Sequence, residues 1–509
     1  MNNYFGEDID KTGLGRQSLR SGAFAMVARV INAATQIGSV LFLARLLTPE
    51  DYGLVAMVTA LTGFAPVLCD LGTRDAVVQR VRVTEGEVSA LFWMTMGIGC
   101  MLAVLVGAAS PLIARFYGEP RLVAIVLVSS LTFVVTALAN QHQALLRRAV
   151  MFRELAIVEV VANVVSAAGA IAMAYQGLEY WALVTRPVAM QTLNTAGVWL
   201  YCRWLPGRPT VTPAVRQMVK FGLNLSGFSA TDFVGKNCDR VAVGRGLGAS
   251  MLGYYQNATF MYDNVLDVLV IPLHQVAVAS LSKLQNDRER LKRAWSKALS
   301  TVAFYAMPAF GILAITSQDL VVVVLGDKWA QAGALLTVLA LRGIPHCVER
   351  TLGWLHVAAG RPDRWMRWGA LAAVGQLVAL FIGLPFGPFG VVTAYVVVMY
   401  IAFVPAIAYA GAPLGIGARD VIAAVAPQLI AALGTTAVGF AVRFTLLDGV
   451  PSIERMAILA VVYLAIYLLV VVGLFRVTTP IQVCRSVVQG FLPGSLKPPA
   501  ALIVPEPGK

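Results

Sequence analysis

Long apolar runs, separated by short polar, glycine-rich or proline-rich segments, dominate the hydrophobic pattern of this chain. Runs such as 122–138, 391–409 and 456–474 are as long as a helix needs to cross a bilayer. The pattern predicts fourteen membrane-spanning helices at 22–46, 52–72, 88–114, 121–144, 154–176, 180–202, 218–244, 251–281, 296–318, 331–358, 365–384, 388–411, 419–442 and 456–475. The connections between them are too short for a folded domain. We therefore predict an all-α integral membrane protein.

The composition agrees with a membrane location. Of 509 residues, 58% are hydrophobic and 13% are charged, with a mean hydropathy of +0.73, whereas about a quarter of the residues in a soluble domain are charged. The net charge of +13 is scattered between apolar runs, so we expect no nucleic-acid partner. Six cysteines without a CxxC pair and four unclustered histidines indicate neither a disulfide framework nor a metal site. No cofactor is expected.

The distribution of Lys and Arg predicts the orientation of the chain. Even-numbered connections and the two tails hold 27 of these residues, odd-numbered connections hold 7, and six lie within spans. Cytoplasmic segments carry an excess of Lys and Arg, so both termini are predicted to be cytoplasmic. The first residues lack a small-residue cleavage site, and we expect the first span to be retained as a signal anchor.

Two similar segments indicate an internal repeat. RLLTPEDYG (45–53) and RGLGASMLG (245–253) share Arg, Leu and Gly in the same register, 200 residues apart. Two weaker matches follow in the same order, FYGEP with VLGDK and YQGLEYWAL with PFGPFGVVT. Six helices per half would give both halves the same orientation. The pattern therefore predicts two parallel six-helix bundles with a cavity between them, which is an alternating-access architecture.

The repeat and the spans together predict the organisation of the chain. The predicted parts are a cytoplasmic N-terminal segment (1–21), an N-terminal six-helix bundle (22–203), a cytoplasmic linker (204–217), a C-terminal six-helix bundle (218–411), two additional transmembrane helices (412–476) and a cytoplasmic tail (477–509).

Two motifs resemble a known family. LFLARLLTPEDYGLVAMVTALTGF (41–64) and DLGTRDAVVQR (70–80) are similar to segments of the Wzx-type polysaccharide flippases. The similarity is greatest to the exopolysaccharide branch, which includes the colanic acid and succinoglycan exporters. These flippases belong to the multidrug/oligosaccharidyl-lipid/polysaccharide superfamily, together with the MATE drug exporters and the lipid II flippases. The resemblance therefore implies a MATE-like fold.

The resemblance also implies a function. It implies that the protein moves an undecaprenyl-diphosphate-linked oligosaccharide across the bacterial inner membrane, using a coupling ion, either a proton or sodium. The implied partners are this lipid-linked substrate, membrane lipids, a polysaccharide polymerase and other export proteins. A MATE-like drug exporter and a lipid II flippase remain alternatives of the same architecture. A membrane polymerase or ligase is disfavoured, because the external loops are short and contain no histidine, so we do not expect an enzyme.

Charged stripes inside the predicted spans suggest where the substrate and the ion bind. Asp232, Lys236, Asp239 and Arg240 follow i, i+4, i+7, i+8 spacing on one helix face, and the tenth span repeats this spacing from Arg342 to Arg350. A charge at the centre of a lipid-facing helix costs about 2.5–3.5 kcal/mol, so these faces must contact protein or a wet cavity.

The family supplies no catalytic motif, so the candidate residues follow from polarity alone. The substrate-binding candidates are Arg29, Asn32, Gln36, Lys236, Arg240, Arg342 and Arg350. The ion-coupling candidates are Asp232, Asp239, Asp263, Asp267 and Glu349, because a carboxylate near a cation in a wet cavity can titrate. Asn32 and Gln36 match Asp232 and Lys236 at the 200-residue offset. The alternative is structural pairing, such as Asp232 with Lys236 or Arg240 with Glu349.

Overall fold

The computed structural model describes residue 5 and residues 14–63, 65–80, 82–282, 284, 287–358, 361–477 and 480–481. This part of the chain is helical and contains no β-strand. The first eight helices are α1 (Leu14–Leu46), α2 (Pro49–Thr62), α3 (Ala65–Asp70), α4 (Thr73–Gln79), α5 (Glu85–Tyr117), α6 (Leu122–Arg148), α7 (Phe152–Tyr175) and α8 (Trp181–Cys202). The next seven are α9 (Pro213–Ser282), α10 (Arg288–Leu325), α11 (Ala330–Ala358), α12 (Pro362–Gly383), α13 (Gly387–Gly411), α14 (Ala418–Thr445) and α15 (Ser452–Leu468).

Within these described ranges, nine helical segments are long and apolar enough to cross a membrane. They are Met26–Leu46, Glu85–Tyr117, Leu122–Arg148, Phe152–Tyr175, Glu289–Leu325, Asp327–His356, Asp363–Leu414, Arg419–Thr445 and Ser452–Leu474. Large apolar side chains such as Val104 and Ile401 are 70% and 69% exposed, as lipid-facing side chains are. The prediction of an all-α membrane protein is confirmed. Each predicted span overlaps at least one described helix, and the second span is divided between α2 and α3. The number of fourteen membrane crossings stays a prediction.

The chain divides into two compact units, Met1–Gly253 (unit 1) and Tyr254–Lys509 (unit 2). In unit 1, α5 packs on α6, α6 and α7 pack on α8, and α1 packs on α7. In unit 2, α11 packs on α10 and α13, and α10 also packs on α14 and α15. The boundary falls inside α9. The predicted bundles at 22–203 and 218–411 stay a prediction.

The TPED sequence in the family-like motif explains why α2 begins where it does. Thr48 is the N-cap, Pro49 is the first helical residue, and Asp51 completes a capping box with Thr48. The second predicted span does not continue as one helix, because Gly63 ends α2 and α3 begins at Ala65. A left-handed pair, Leu71 and Gly72 with φ of 46° and 62°, then separates α3 from α4.

The two segments that carry the predicted repeat contact each other within unit 1. A Cβ on Gly53 would lie 1.7 Å from the carbonyl oxygen of Ala249, and a Cβ on Gly253 would lie 1.8 Å from that of Pro49. Positions 49 and 249, like 53 and 253, are 200 residues apart, so each segment presents its glycine to the same position of the other. Only glycine permits this approach of the two backbones.

Candidate functional site

Four polar side chains join three apolar helices of unit 1. They are Asn32 and Gln36 of α1, Asn163 of α7 and Arg186 of α8, and we call them the amide–arginine cluster. Nη2 of Arg186 donates to Oε1 of Gln36 over 2.9 Å and to Oδ1 of Asn163 over 3.5 Å. Nδ2 of Asn163 donates to Oδ1 of Asn32 over 3.0 Å. The amide of the buried Asn163 therefore bridges α1 and α8.

The amide–arginine cluster carries one positive charge. Amide oxygens accept hydrogen bonds from a guanidinium, but they do not neutralise it. Among the residues that the structure describes, no Asp or Glu forms an ion pair with Arg186. A cation held on an apolar helix without a counter-charge is able to attract an anion.

A second cluster lies in unit 2 and contains titratable groups. It consists of Tyr262 from α9 and Arg342, His346, Glu349 and Arg350 from α11, and we call it the histidine–glutamate cluster. The hydroxyl of Tyr262 lies 2.6 Å from Nδ1 of His346, and Nε2 of His346 lies 3.5 Å from Oε2 of Glu349. Arg342 and Arg350 are close enough to act electrostatically on both His346 and Glu349.

The surroundings of the histidine–glutamate cluster fix its side chains. The rings of Tyr262 and His346 stack at 6.0 Å with an interplanar angle of 9°. The guanidinium of Arg342 lies over the ring of Tyr395, 5.7 Å from its centroid. Tyr262 is buried, and His346 and Glu349 are partly buried. The predicted stripe on α11 is therefore a set of neighbouring side chains with a partner on another helix.

The stripe on the first half of α9 is described only in part. Nη1 of Arg240 donates to Oδ1 of the buried Asn237 over 2.7 Å, and the backbone N–H of Arg240 donates to Oδ1 of Asp239 over 2.7 Å. The side chains of Asp232 and Lys236 lie outside the described residues. Their predicted pairing therefore stays a prediction.

The remaining candidate residues lie elsewhere on α1 and α9. Arg29 is exposed on α1. Asp263 is partly buried on α9 and adjoins Tyr262, and it acts electrostatically on the hydroxyl of that tyrosine. Asp267 is exposed one turn later. Their roles in binding or coupling stay predictions.

One buried carboxylate in unit 2 is paired with two arginines. Oδ2 of Asp319 accepts from Nη1 of Arg443 over 2.5 Å, and Oδ1 accepts from Nη2 of Arg455 over 2.5 Å. Arg443 also donates to the carbonyl oxygen of Ile315. Because these residues belong to α10, α14 and the first turn of α15, the group joins the last two long helices to α10.

Sequence patterns identified some of these residues and missed others. Arg186 and Asn163 are polar residues within predicted spans, and this polarity is the signal that could have found them. Nothing in the pattern indicated that they meet Gln36, because periodicity describes one helix at a time. Tyr262 was missed because a tyrosine in a span is compatible with ordinary packing. Among the described residues, no group of three or more His, Cys, Asp or Glu could hold a metal ion.

Comparison with known proteins shows the family of this chain. The profile of the polysaccharide biosynthesis protein family matches residues 42–334, more than half of the chain. The chain belongs to this family. The match contains most of the motif at 41–64 and all of that at 70–80, so the predicted resemblance to polysaccharide exporters is confirmed.

Several curated relatives are similar to this polysaccharide biosynthesis protein over most of their length. The lipopolysaccharide biosynthesis protein WzxC of Escherichia coli K12 is 25% identical over 382 residues, covering 72% of this chain and 75% of the relative. The teichuronic acid biosynthesis protein TuaB of Bacillus subtilis is 26% identical, covering 73% and 77%. The succinoglycan biosynthesis transport protein ExoT of Rhizobium meliloti is 24% identical, covering 72% and 74%. These relatives fit the exopolysaccharide branch and do not favour a drug exporter or a polymerase.

Two solved structures have a similar fold. A lipid II flippase MurJ in an inward closed conformation aligns with a TM-score of 0.68 and 12% identity, covering 90% of this chain and 99% of the other. An inward-facing multidrug resistance MATE family transporter aligns with a TM-score of 0.60 and 12% identity, covering 77% and 98%. At these identities the likeness concerns the fold, and it confirms the predicted MATE-like architecture.

Proposed function

We propose that this chain is a flippase that moves an undecaprenyl-diphosphate-linked oligosaccharide repeat unit across the bacterial inner membrane for exopolysaccharide or lipopolysaccharide biosynthesis. The observation that carries the proposal is the family match over 42–334. The polar clusters on apolar helices support it, because a transporter of a charged, hydrophilic headgroup needs such groups within the membrane. The protein acts as a transporter, and we assign no catalytic residue.

A deletion strain tests the flippase function. Loss of this gene is expected to abolish one surface or secreted polysaccharide, while lipid-linked repeat units accumulate with the sugar facing the cytoplasm. Restoring the gene on a plasmid is the control. Normal amounts of every polymer in a strain without a second homologue would contradict the proposal.

The amide–arginine cluster is the proposed contact for the diphosphate in unit 1. Its one guanidinium has no described carboxylate partner, and Gln36 and Asn163 hold it in place from two other helices. An arginine binds phosphate oxygens with two parallel hydrogen bonds, which an ammonium group cannot do. The sequence-predicted cations Arg29, Lys236 and Arg240 are proposed to extend this path.

The histidine–glutamate cluster is the proposed ion-coupling site in unit 2. Glu349 accepts a proton or a cation, and the nearby charges of Arg342 and Arg350 make its occupancy sensitive to an anionic substrate. His346, held by Tyr262, lies next to the carboxylate. The coupling ion is a proton or sodium, and Asp232, Asp239, Asp263 and Asp267 are further acidic candidates on α9.

Transport by alternating access needs a contact that closes one side of the membrane. We assign this role to the reciprocal contact of Gly53 with Ala249 and of Gly253 with Pro49. Both segments belong to odd-numbered connections, which the Lys and Arg count predicts to be periplasmic. Gly53→Val is expected to stop export, because the added side chain prevents this approach of α2 and α9.

The control for the glycine contact is Gly97→Val in α5. A Cβ on Gly97 would have no described atom within 4 Å, so this variant changes helix propensity without blocking a contact. Both proteins are compared for membrane abundance and for export. Export by Gly53→Val at the wild-type rate would contradict the proposed closing contact.

Orientation follows from the same count of basic residues. Both termini are proposed to be cytoplasmic. A reporter fused after Lys509 is expected to be active in the cytoplasm, and one inserted at 385–390 is expected to be active in the periplasm. A periplasmic C-terminus would contradict the fourteen-span arrangement. A polysaccharide polymerase and other export proteins are the proposed partners.

A further inference from the structure

The linker between α8 and α9 packs against the beginning of α5. The backbone N–H of Thr210 donates to the carbonyl oxygen of Gly86 over 2.9 Å, and that of Gly207 donates to Oγ of Ser89 over 3.0 Å. The hydroxyl of Thr212 donates to Oε1 of Glu87 over 2.7 Å. These three hydrogen bonds fix the linker and set the position of the first turns of α9 beside α5.

A groove of about 450 Å³ opens between α5 and the first turns of α9. Its walls are apolar, with Ala90 and Met94 on α5 and Val215 and Val219 on α9. The volume falls within the range of small-ligand sites in proteins. An apolar groove at the end of a membrane helix suits a hydrocarbon chain.

Two basic side chains also line this groove. Arg216 and Lys220 are one helical turn apart on α9, so their side chains project from the same face. Both are exposed, and neither forms an ion pair with a carboxylate among the described residues. The groove therefore combines an apolar floor with two cations that remain available to an anion.

The side chains around the groove are those of a membrane–water interface. Trp93 is exposed, and its indole N–H donates to the carbonyl oxygen of Gly207 over 3.1 Å. On the linker, Leu205 and Val211 are 73% and 69% exposed. Exposure of such large apolar side chains is favourable if this face contacts lipid and unfavourable if it contacts water. Tryptophan and exposed apolar side chains next to basic residues are typical of the headgroup region.

We propose that this groove binds one anionic phospholipid, with an acyl chain along the four apolar side chains and the phosphate between Arg216 and Lys220. Basic pockets between membrane helices on the cytoplasmic side bind anionic headgroups, and the Lys and Arg count predicts that this face is cytoplasmic. A diphosphate-linked polyprenyl substrate has the same chemistry, and competition between the two lipids distinguishes them. The proposal holds independently of the flippase function.

Native mass spectrometry of the purified full-length protein tests the phospholipid site. The protein in detergent is mixed with phosphatidylglycerol, with phosphatidylcholine or with undecaprenyl diphosphate, and the bound fraction is measured as the collision energy rises. Wild-type protein is expected to retain one phosphatidylglycerol at energies that remove phosphatidylcholine. The double variant Arg216→Gln with Lys220→Gln is expected to lose about 25-fold in affinity, since each basic side chain near an anionic lipid contributes about fivefold.

Two further variants distinguish the groove from a general surface effect. Arg203→Gln with Arg208→Gln removes two exposed charges from the same linker and is expected to retain phosphatidylglycerol. Val219→Trp fills the groove while both cations remain, and it is expected to lose the lipid. Melting temperatures of all variants establish that they are folded.

Three results would overturn the phospholipid site. The first is equal retention of phosphatidylglycerol by the wild type and the Arg216→Gln, Lys220→Gln variant. The second is equal retention of phosphatidylcholine and phosphatidylglycerol by the wild type. The third is displacement of phosphatidylglycerol by undecaprenyl diphosphate at an equal concentration, which would assign the groove to the substrate lipid.

Discussion

The polar clusters of unit 1 and unit 2 differ in the kind of charge that they hold. The amide–arginine cluster contains one guanidinium and three amides. The histidine–glutamate cluster contains two guanidiniums, a carboxylate, an imidazole and a phenol. An arginine stays protonated at all physiological pH values, whereas a carboxylate and an imidazole can exchange protons. One cluster is thus suited to constant attraction of an anion, and the other to a change of state.

This difference suggests a division of labour between the two clusters. Asn32 and Gln36 stand 200 residues before Asp232 and Lys236. In unit 1, Gln36 accepts a hydrogen bond from Arg186, and Asn32 accepts one from Asn163. The predicted repeat would place neutral groups at these helix positions in one half and charged groups at the same positions in the other. The predictions below test whether binding and coupling are separable in this way.

Among variants of the polar clusters, the largest effect is expected from Arg186→Gln. The variant keeps a hydrogen-bonding side chain but removes the only charge of the amide–arginine cluster, and a hydrogen bond to a charged group contributes about 1.5–3 kcal/mol, so export should fall by about 10–150-fold. Polymer export and membrane abundance are measured together. Arg186→Lys is the matched variant, and it should retain partial export. Wild-type export by Arg186→Gln would remove this arginine from the substrate path.

A change in coupling rather than in binding is expected from Glu349→Gln. The amide keeps the shape of the side chain beside His346 but cannot accept a proton or balance a cation. Exchange of lipid-linked substrate without any ion gradient should continue, while stimulation by a pH or sodium gradient should disappear. The ratio of the two rates in proteoliposomes is the measurement. An unchanged ratio would show that this carboxylate is only structural.

Asp319→Asn tests whether the carboxylate that is paired with two arginines in unit 2 stabilises the fold. This change leaves Arg443 and Arg455 without their counter-charge, and breaking a buried pair costs about 3–5 kcal/mol. The melting temperature in detergent and the amount in the membrane should both fall. Asp420→Asn removes the charge of the half-exposed ion pair with Lys292, while the amide oxygen can still accept from the backbone N–H of Gly417. It is the control and should change little. If both variants behave alike, the group at Asp319 does not hold α14 and α15 to α10.

The smallest effect is expected from Gln36→Ala. The charge of Arg186 remains, and only one of its two described hydrogen bonds is lost. A neutral hydrogen-bond partner contributes about 0.5–1.5 kcal/mol, so the apparent affinity for substrate should fall by about 2–12-fold. Export should persist at high substrate supply. Complete loss of export would mean that Gln36 contacts the substrate directly.

Much of the fold follows from hydropathy, because a helix in lipid must be long and apolar. The predicted span 331–358 and α11 (Ala330–Ala358) nearly coincide. The second span was harder to predict, since the end of α2 at Gly63 and the left-handed pair at 71–72 occur within an apolar stretch. Hydropathy cannot show where a helix is interrupted when the residues at the interruption are as apolar as the helix itself.

The candidate site was predictable to the extent that it lies on one helix. The stripe from Arg342 to Glu349 follows from the helical repeat and forms one cluster. The hydrogen bonds of His346 to Tyr262 and of Arg186 to Gln36 join residues 84 and 150 positions apart. Single-helix periodicity contains no information about such contacts, because they depend on how the helices pack.

The most direct test of the division of labour is a flipping assay in proteoliposomes, with and without an imposed ion gradient. The substrate is an undecaprenyl-diphosphate-linked oligosaccharide, and its exposure to an external enzyme is followed over time. The wild type should flip the substrate and be accelerated by the gradient, Glu349→Gln should flip it at the unstimulated rate under both conditions, and Arg186→Gln should be slow under both. Gradient stimulation of Glu349→Gln equal to the wild type, or wild-type rates for Arg186→Gln, would contradict separate binding and coupling clusters.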